Sequence, residues 1–163
     1  MSGARDVVRV PGEEIARFVS DVLRAVDLPA EDAARVGVLI AEADLIGADA
    51  HGIFRLPQYV KRIQAGGVNV RPRITVETTG PATALVDGDN GMGHLVVSQA
   101  AETAVALART AGVGWVGVRR SNHAGPASLY AAMPVEHGMI GLYSAVASAN
   151  HMAPFGGTEP LLG

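Results

Sequence analysis

Residues 83–118 read TALVDGDNGMGHLVVSQAAETAVALARTAGVGWVGV. TALVD alternates in the manner of a strand, and the following DGDNGMG predicts a tight turn that ends it. The alanine-rich residues 94–111 predict a helix that Gly112 stops, and VGWVGV is an apolar run typical of a buried strand. Strand, helix and strand in this order indicate an α/β domain.

The segments on either side continue this alternation. RITVE, residues 73–77, predicts a strand before it. Residues 126–137 predict a short helix stopped by Gly138, and MIGLYSAVAS, residues 139–148, predicts a further buried strand. We therefore expect residues 71–163 to form a partial α/β domain.

The N-terminal part of the chain is helical in pattern. Apolar residues recur at helical spacing over residues 11–27, and a second helix is predicted from Pro29. A third helix is predicted to begin near Phe54 and to end at Gly66. Residues 1–70 are therefore predicted to form a helical subdomain.

The overall composition indicates an ordered globular protein. The 163 residues are 48% hydrophobic, carry a net charge of −3 and include no cysteine. No basic block points to nucleic acid, and no apolar stretch resembles a signal peptide or a membrane span. The lack of cysteine excludes disulfides and thiolate metal sites and is compatible with a reducing compartment. We expect a cytoplasmic protein with neither nucleic acid nor membrane as a partner.

The spacing of His51 and Arg55 suits a bound carboxylate. With a helix starting near Phe54, the imidazole, the guanidinium and free backbone amides surround one spot. Tyr59, four residues beyond Arg55, extends the same face. The alternative from the residues alone is that Arg55 pairs with a nearby acid while His51 caps a turn.

The SNHAG stretch, residues 121–125, lies where a strand is followed by a helix. Strand ends in α/β proteins gather catalytic groups, so His123 is a candidate acid–base residue and Asn122 could orient a substrate carbonyl. A solvated turn histidine is the equal alternative. Arg119 and Arg120 are as easily solvated as functional.

Other chemistries fit the residues less well. Asp87 and Asp89 in DGDNGMG would repel a pyrophosphate, so this stretch is not predicted to be a phosphate-binding loop. His94 is interpreted as a helix-start residue. A metal site built from Asp49, His51 and His123 lacks a defined ligand set, so we predict no metal. Nucleophilic catalysis is not predicted, because the sequence has no cysteine and no serine in a G-x-S-x-G motif.

Four ordered stretches resemble a known enzyme family: ADLIGADAHGIFRLPQYVKRIQAGGVN, VDGDNGMGHLVVSQA, RRSNHAG and SANHMAPFGGTEPLLG. Together they resemble the malate/L-lactate dehydrogenase family, which includes sulfolactate, ureidoglycolate and diketogulonate oxidoreductases. The resemblance implies interconversion of a 2-hydroxy acid, such as malate or lactate, and its 2-oxo acid with NAD or NADP. It also implies a nicotinamide-binding α/β fold unlike the Rossmann fold, and a homodimer.

The resemblance also implies roles for single residues. His51 matches a proton donor, Arg55 the carboxylate-binding arginine and His123 the acid–base residue. Ser148 matches a serine that approaches the cofactor. Where the family has a serine before the first histidine, this chain has Ala50, so it lacks the serine hydroxyl that the resemblance would place against the substrate.

The family pattern continues beyond GGTEPLLG, where this sequence stops at Gly163. We therefore expect activity to need a second chain that supplies the remaining segment, or association as a homodimer. The alternative is a catalytically inactive remnant that serves as a binding or assembly subunit. A hydrolytic metal enzyme is a third possibility.

Overall fold

The computed structural model describes residues 8–146, 153 and 155–159. Over these ranges the chain forms five α-helices, three strands and three short 3₁₀ helices. In chain order the longer elements are α1 Gly12–Arg24, α2 Ala30–Leu45, α3 Leu56–Gln64, β1 Thr75–Gly80, β2 Thr83–Gly91, α4 Gly93–Ala111, β3 Trp115–Ser121 and α5 Ala127–Ala132. The 3₁₀ helices are Asp49–His51, Ile53–Arg55 and Met133–His137.

The first three helices bury a shared apolar core. Pro11 and Pro29 each lie one residue before a helix, where a missing N–H costs nothing. The amphipathic faces of α1, α2 and α3 then meet around a cluster of fully or nearly fully buried side chains: Val19, Leu23, Val36, Ile40, Leu56, Tyr59 and Ile63. Met92 and Leu95, at the start of α4, belong to the same cluster. The core therefore joins the helical part to the α/β part directly behind the N-terminus of α4.

The strands form one sheet in the order β1-β2-β3. β1 and β2 are an antiparallel pair, whereas β2 and β3 are parallel and α4 connects them. The parallel pair with its crossover helix confirms the predicted α/β class. The division into two domains near residue 70 stays a prediction.

The prediction that VGWVGV is a buried strand is right about the strand and wrong about its burial. Val96 and Ala100 of α4 cover Val86 on one face of the sheet, and Val116 packs there too. Trp115 points to the other face and is 64% exposed. Among the described residues β3 is an edge strand, and only Val116 and Gly117 of it are partly buried.

The glycine-rich stretch after TALVD is not a tight turn, because β2 runs on through it to Gly91. The pairing with β3 is irregular between Asp87 and Gly91, and Asp89 and Asn90 have φ angles of 47° and 58°. Asn and Asp tolerate this left-handed region better than other side chains. The turn residues therefore distort the strand without ending it.

The predicted helix over residues 126–137 is divided in two. α5 ends at Ala132 and a 3₁₀ helix continues to His137. Pro134 has no N–H to donate back along an α-helix, which accounts for the change of helix type.

The prediction of a buried strand over residues 139–148 is wrong for its described part. Residues 139–146 have no strand, and Ile140 and Leu142 are 99% and 87% exposed. An apolar run predicts burial, but a strand also needs a neighbouring edge for its hydrogen bonds, and this segment pairs with no described strand. Residues 147 and 148 lie outside the described residues.

Candidate functional site

Two histidine rings, 72 positions apart in the sequence, stack against each other. His51 ends the first 3₁₀ helix, and His123 follows the end of β3. Their ring centroids lie 5.5 Å apart and their planes differ by 19°. The structure therefore brings together the two imidazoles that the sequence analysis selected.

Arg55 lies beside this pair as the residue immediately before α3. Its Nε donates to the carbonyl oxygen of Ala50 at 2.8 Å, and its Nη1 donates to Oε1 of Gln58 at 2.6 Å. These two bonds orient the planar guanidinium and use two of its five N–H groups. Its charge also acts on His123: burial first, then Arg55 and then His51 lower the pKa of that imidazole.

Tyr59 connects α3 to the His123 ring. Its Oη lies 2.7 Å from Nδ1 of His123, and the backbone N–H of Gly125 donates to the same nitrogen at 3.3 Å. A backbone N–H can only donate, so Nδ1 accepts. Burial raises the pKa of Tyr59, so its hydroxyl keeps its proton and donates as well. This bonding corresponds to the neutral tautomer that carries its proton on Nε2; the other tautomer would donate from Nδ1 to the Tyr59 oxygen.

The turn that presents His51 depends on Asp44 and Gly52. The Oδ2 atom of Asp44, near the end of α2, accepts from the backbone N–H of Ile53 at 2.9 Å. A Cβ at position 52 would overlap the other oxygen of the same carboxylate. A side chain at position 52 would therefore displace the Asp44 carboxylate, and the capped turn orients His51 and Arg55 relative to the helical core.

Asn122 is placed next to the site, but its amide is used within the framework. Its Oδ1 accepts from Nε of Arg62 at 2.9 Å. Its Nδ2 donates to the carbonyl oxygens of Asn90 and Gly91 at 2.8 and 3.0 Å. These bonds tie the loop after β3 to α3 and to β2, and they hold the backbone that carries His123.

His94 completes the group from behind, and the sequence analysis missed this. It lies in the first turn of α4, as predicted, yet it is fully buried, and neither ring nitrogen has a hydrogen-bond partner among the described residues. Its ring meets that of Tyr59 edge to face, at 5.4 Å and 89°. Burial first, and then the charge of His123, lowers the pKa of His94 to about 3, so this imidazole is neutral. Only the packing reveals this; a lone histidine after a glycine gave no signal.

The two arginines near the end of β3 pair with β2. Nε of Arg119 lies 3.0 Å from Oδ2 of Asp87, and Nε of Arg120 lies 2.7 Å from Oδ1. The backbone N–H of Asp89 first, and then Arg120, lower the pKa of Asp87. The Asp87 carboxylate therefore stays ionised, and the stretch, which also contains Asp89, does not fit a dinucleotide pyrophosphate.

Within the ranges that the structure describes, no three His, Asp or Glu side chains are grouped in a way that could hold a metal ion. His51 and His123 are close together, but Asp49 does not complete such a group with them. The remaining sequence candidate, Ser148, lies outside the described residues.

Comparison with known proteins identifies the family of the chain. The family model described as malate/L-lactate dehydrogenase matches residues 10–163. The chain belongs to the malate/L-lactate dehydrogenase family. It is 46% identical over 156 residues to a malate dehydrogenase of Pyrococcus abyssi, a match that covers 96% of this chain and 43% of the relative. It is 39% identical over 151 residues to an L-sulfolactate dehydrogenase of Methanocaldococcus jannaschii, covering 93% of this chain and 44% of that one.

Solved structures of this family share the fold. The sulfolactate dehydrogenase of Methanocaldococcus jannaschii superposes with a TM-score of 0.85 at 36% identity, over 93% of this chain and 44% of that chain. The malate dehydrogenase of Pyrococcus horikoshii gives 0.78 at 41% identity, over 85% and 40%. The chain thus spans less than half the length of the relatives it matches.

No helix in the described part of this family member combines the length and the apolar character needed to cross a bilayer.

Proposed function

We propose that this chain is part of an NAD(P)-dependent oxidoreductase that interconverts a 2-hydroxy acid, such as malate or lactate, and its 2-oxo acid. The observation that carries the proposal is the stacked pair of His51 and His123 beside Arg55. This arrangement offers an anion-binding cation and a proton-transferring imidazole within one small region. The relatives are named as dehydrogenases of malate and sulfolactate, which favours an enzyme over an inactive remnant.

In this proposal Arg55 binds the substrate carboxylate. The guanidinium is held by Ala50 and Gln58, so it loses little freedom when a ligand binds. Its remaining N–H groups form a planar fork that matches a carboxylate better than an ammonium could. The N-terminus of the nine-residue helix α3, which follows Arg55, adds little to this, because Leu56 donates its N–H to the carbonyl oxygen of Ile53 and Pro57 has no N–H. The bound acid then has its C2 oxygen directed towards the imidazoles.

His123 is the proposed acid–base residue. In the oxidation of a hydroxy acid, the neutral tautomer that carries its proton on Nδ1 takes the C2 hydroxyl proton at Nε2 while C2 loses a hydride to the carrier. In the reduction, the imidazolium returns the Nε2 proton to the C2 oxygen as C2 gains the hydride. The Tyr59 hydroxyl can donate to the neutral ring or accept from the charged one, so it can bond Nδ1 in both states. His51, stacked 5.5 Å away, is proposed as a second hydrogen-bond donor to the substrate.

Substrate binding itself should shift the protonation of His123. In the free chain burial first, and then the charges of Arg55 and His51, hold the pKa of His123 low. A carboxylate that pairs with Arg55 offsets that positive charge, so the pKa of His123 rises once the acid is bound. The bound anion therefore promotes the protonated state that reduction of a 2-oxo acid requires.

The proposed hydride carrier is NAD or NADP. Two relatives, about a third identical to this chain, are named an NAD(+)-dependent ureidoglycolate dehydrogenase and an NADP(+)-dependent sulfolactate dehydrogenase. The described residues fit the acid–base part of such a reaction. They do not offer a pyrophosphate cradle, because Asp87 and Asp89 occupy the glycine-rich stretch. Ser148 remains the proposed cofactor contact, and we assign none to the described residues.

Because the chain spans less than half of its relatives, its assembly is also a proposal. The partners that fit are a second copy in a homodimer, or a chain that supplies the rest of the family's length. Oxidation of NADH and NADPH, followed with a panel of 2-oxo acids, tests the function. The chain is assayed alone and together with such a partner, with His123→Asn as the inactive control. We expect oxidation that depends on both the acid and His123; its absence in both arrangements would refute the proposal.

A further inference from the structure

His94 poses a problem of energetics. It is fully buried, and both its ring nitrogens lack a partner among the described residues. A neutral imidazole has one N–H donor and one acceptor nitrogen, and burying either without a partner destabilises the folded state. An apolar side chain of similar size would avoid this cost. The presence of histidine here therefore calls for an explanation other than stability.

The surroundings of His94 lead to the candidate site. Its ring packs edge to face against the ring of Tyr59, which is itself 5% exposed. The Tyr59 hydroxyl in turn meets Nδ1 of His123 at 2.7 Å. The charged or titratable groups near the His123 ring are thus His51 and Arg55 on the open side, and Tyr59 and His94 on the buried side.

The backbone around His94 is packed just as closely. A Cβ at Gly93 would overlap the carbonyl oxygens of Asn122 and His123, so the N-terminus of α4 lies directly against the loop that carries the acid–base candidate. A Cβ at Gly125 would lie 3.2 Å from Nε2 of His94. His94 is thereby held between the His123 loop and α3.

We propose that His94 is a positioning residue of the acid–base site: a neutral aromatic wedge that holds the Tyr59 ring so that its hydroxyl donates to Nδ1 of His123. His94 touches neither substrate nor cofactor in this arrangement and acts through Tyr59. The inference deepens the proposed function, since that function gives His123 its role in proton transfer. It requires no substrate, however, and can be tested on the chain as it stands.

The test is nuclear magnetic resonance of the isotope-labelled chain, at a pH where His123 is neutral. A buried phenol that donates to a ring nitrogen gives a slowly exchanging hydroxyl proton, which Tyr59→Phe assigns by removing it. We expect His94→Leu to abolish or broaden this signal and to move the His123 Nδ1 resonance towards the value of a nitrogen without a donor. Ser98→Ala is the matched control. Ser98 is the other fully buried polar residue of α4, and its hydroxyl bonds only to the carbonyl oxygen of His94.

The double variant separates positioning from a general packing effect. If His94 acts through Tyr59, adding His94→Leu to Tyr59→Phe produces no further change at Nδ1. The melting temperature of His94→Leu should equal or exceed that of the wild type, because two buried unpaired polar atoms are removed. An unchanged hydroxyl signal, an additive change in the double variant, or loss of the fold in His94→Leu would each overturn the proposal. None of these outcomes bears on whether the chain binds a 2-hydroxy acid, so the proposed function is tested separately.

Discussion

Replacing Arg55 by Gln should weaken the binding of a 2-hydroxy or 2-oxo acid about tenfold. Glutamine retains a polar head group but loses the charge and the two-pronged N–H fork. A hydrogen bond to a charged group contributes about 1.5–3 kcal/mol. Since Arg55 is only half-buried, we take the lower end, about 1.5 kcal/mol, which corresponds to roughly a factor of ten in the dissociation constant.

Two further variants make the measurement specific. Arg55→Lys keeps the charge and loses the fork, so it should fall between the wild type and Arg55→Gln. Arg17→Gln removes an exposed cation on α1 whose only described ion-pair partner is Glu14, and it should leave affinity unchanged. Nuclear magnetic resonance titration with malate suits the weak affinities expected without a cofactor.

The reasoning fails under two results. Binding by Arg55→Gln equal to that of the wild type would remove Arg55 from the site. An equal loss in Arg17→Gln would show that malate responds to net charge and not to a built site, because a long-range effect would not distinguish the two arginines.

Three other outcomes follow from the same geometry. Malate should raise the pKa of His123, so the affinity of the chain for malate should increase as the pH falls through the titration of that ring. An affinity that stays constant from about pH 5 to about pH 8, the range in which histidines ordinarily titrate, would contradict this. Asp44→Ala should lower the free energy of unfolding by about 1 kcal/mol in a denaturant titration, because the N–H of Ile53 loses its acceptor, and no change would show that the cap is dispensable. Gly93→Ala should destabilise the fold by about 1–3 kcal/mol, because its Cβ would overlap the carbonyl oxygen of Asn122, and a variant as stable as the wild type would show that α4 can move away from that loop.

The sequence predicted the elements better than their environments. Helical spacing located α1 and α2 within a few residues, and Gly112 marked the end of α4 because it takes a φ of 82° there. These are local signals, set by periodicity and by single glycine residues. The burial of β3 was not local, since it depends on what covers each face of the sheet, and Trp115 proved to lie on the uncovered face.

In the candidate site, too, local sequence signals predicted which residues matter, and tertiary packing decided what they contact. His51, Arg55 and His123 could be selected from their positions at element ends and from the family resemblance, and the structure places them together. The bonds of the Asn122 amide to Arg62 and Asn90 are set by the tertiary fold, and its contact with a substrate stays a prediction. No pattern in the chain revealed these bonds, because each joins segments at least 32 residues apart.

The burial of His94 was equally invisible. The sequence indicated only that His94 lies at the start of a helix, whereas the core of the first three helices extends to Met92 and Leu95 on either side of it. A residue flanked in this way becomes buried only once α4 packs on that core. Long-range packing, which neither composition nor periodicity encodes, therefore decides what this histidine does.

The most direct test of the account is to follow the ring resonances of all histidines while malate is added to the labelled chain. Because one anion is proposed to lie between Arg55 and the stacked imidazoles, the signals of His51 and His123 should move together with a single dissociation constant. His137, at the end of a 3₁₀ helix with its ring against Arg109, should not move. Movement of His137 to the same extent, or of neither stacked ring, would contradict the central claim.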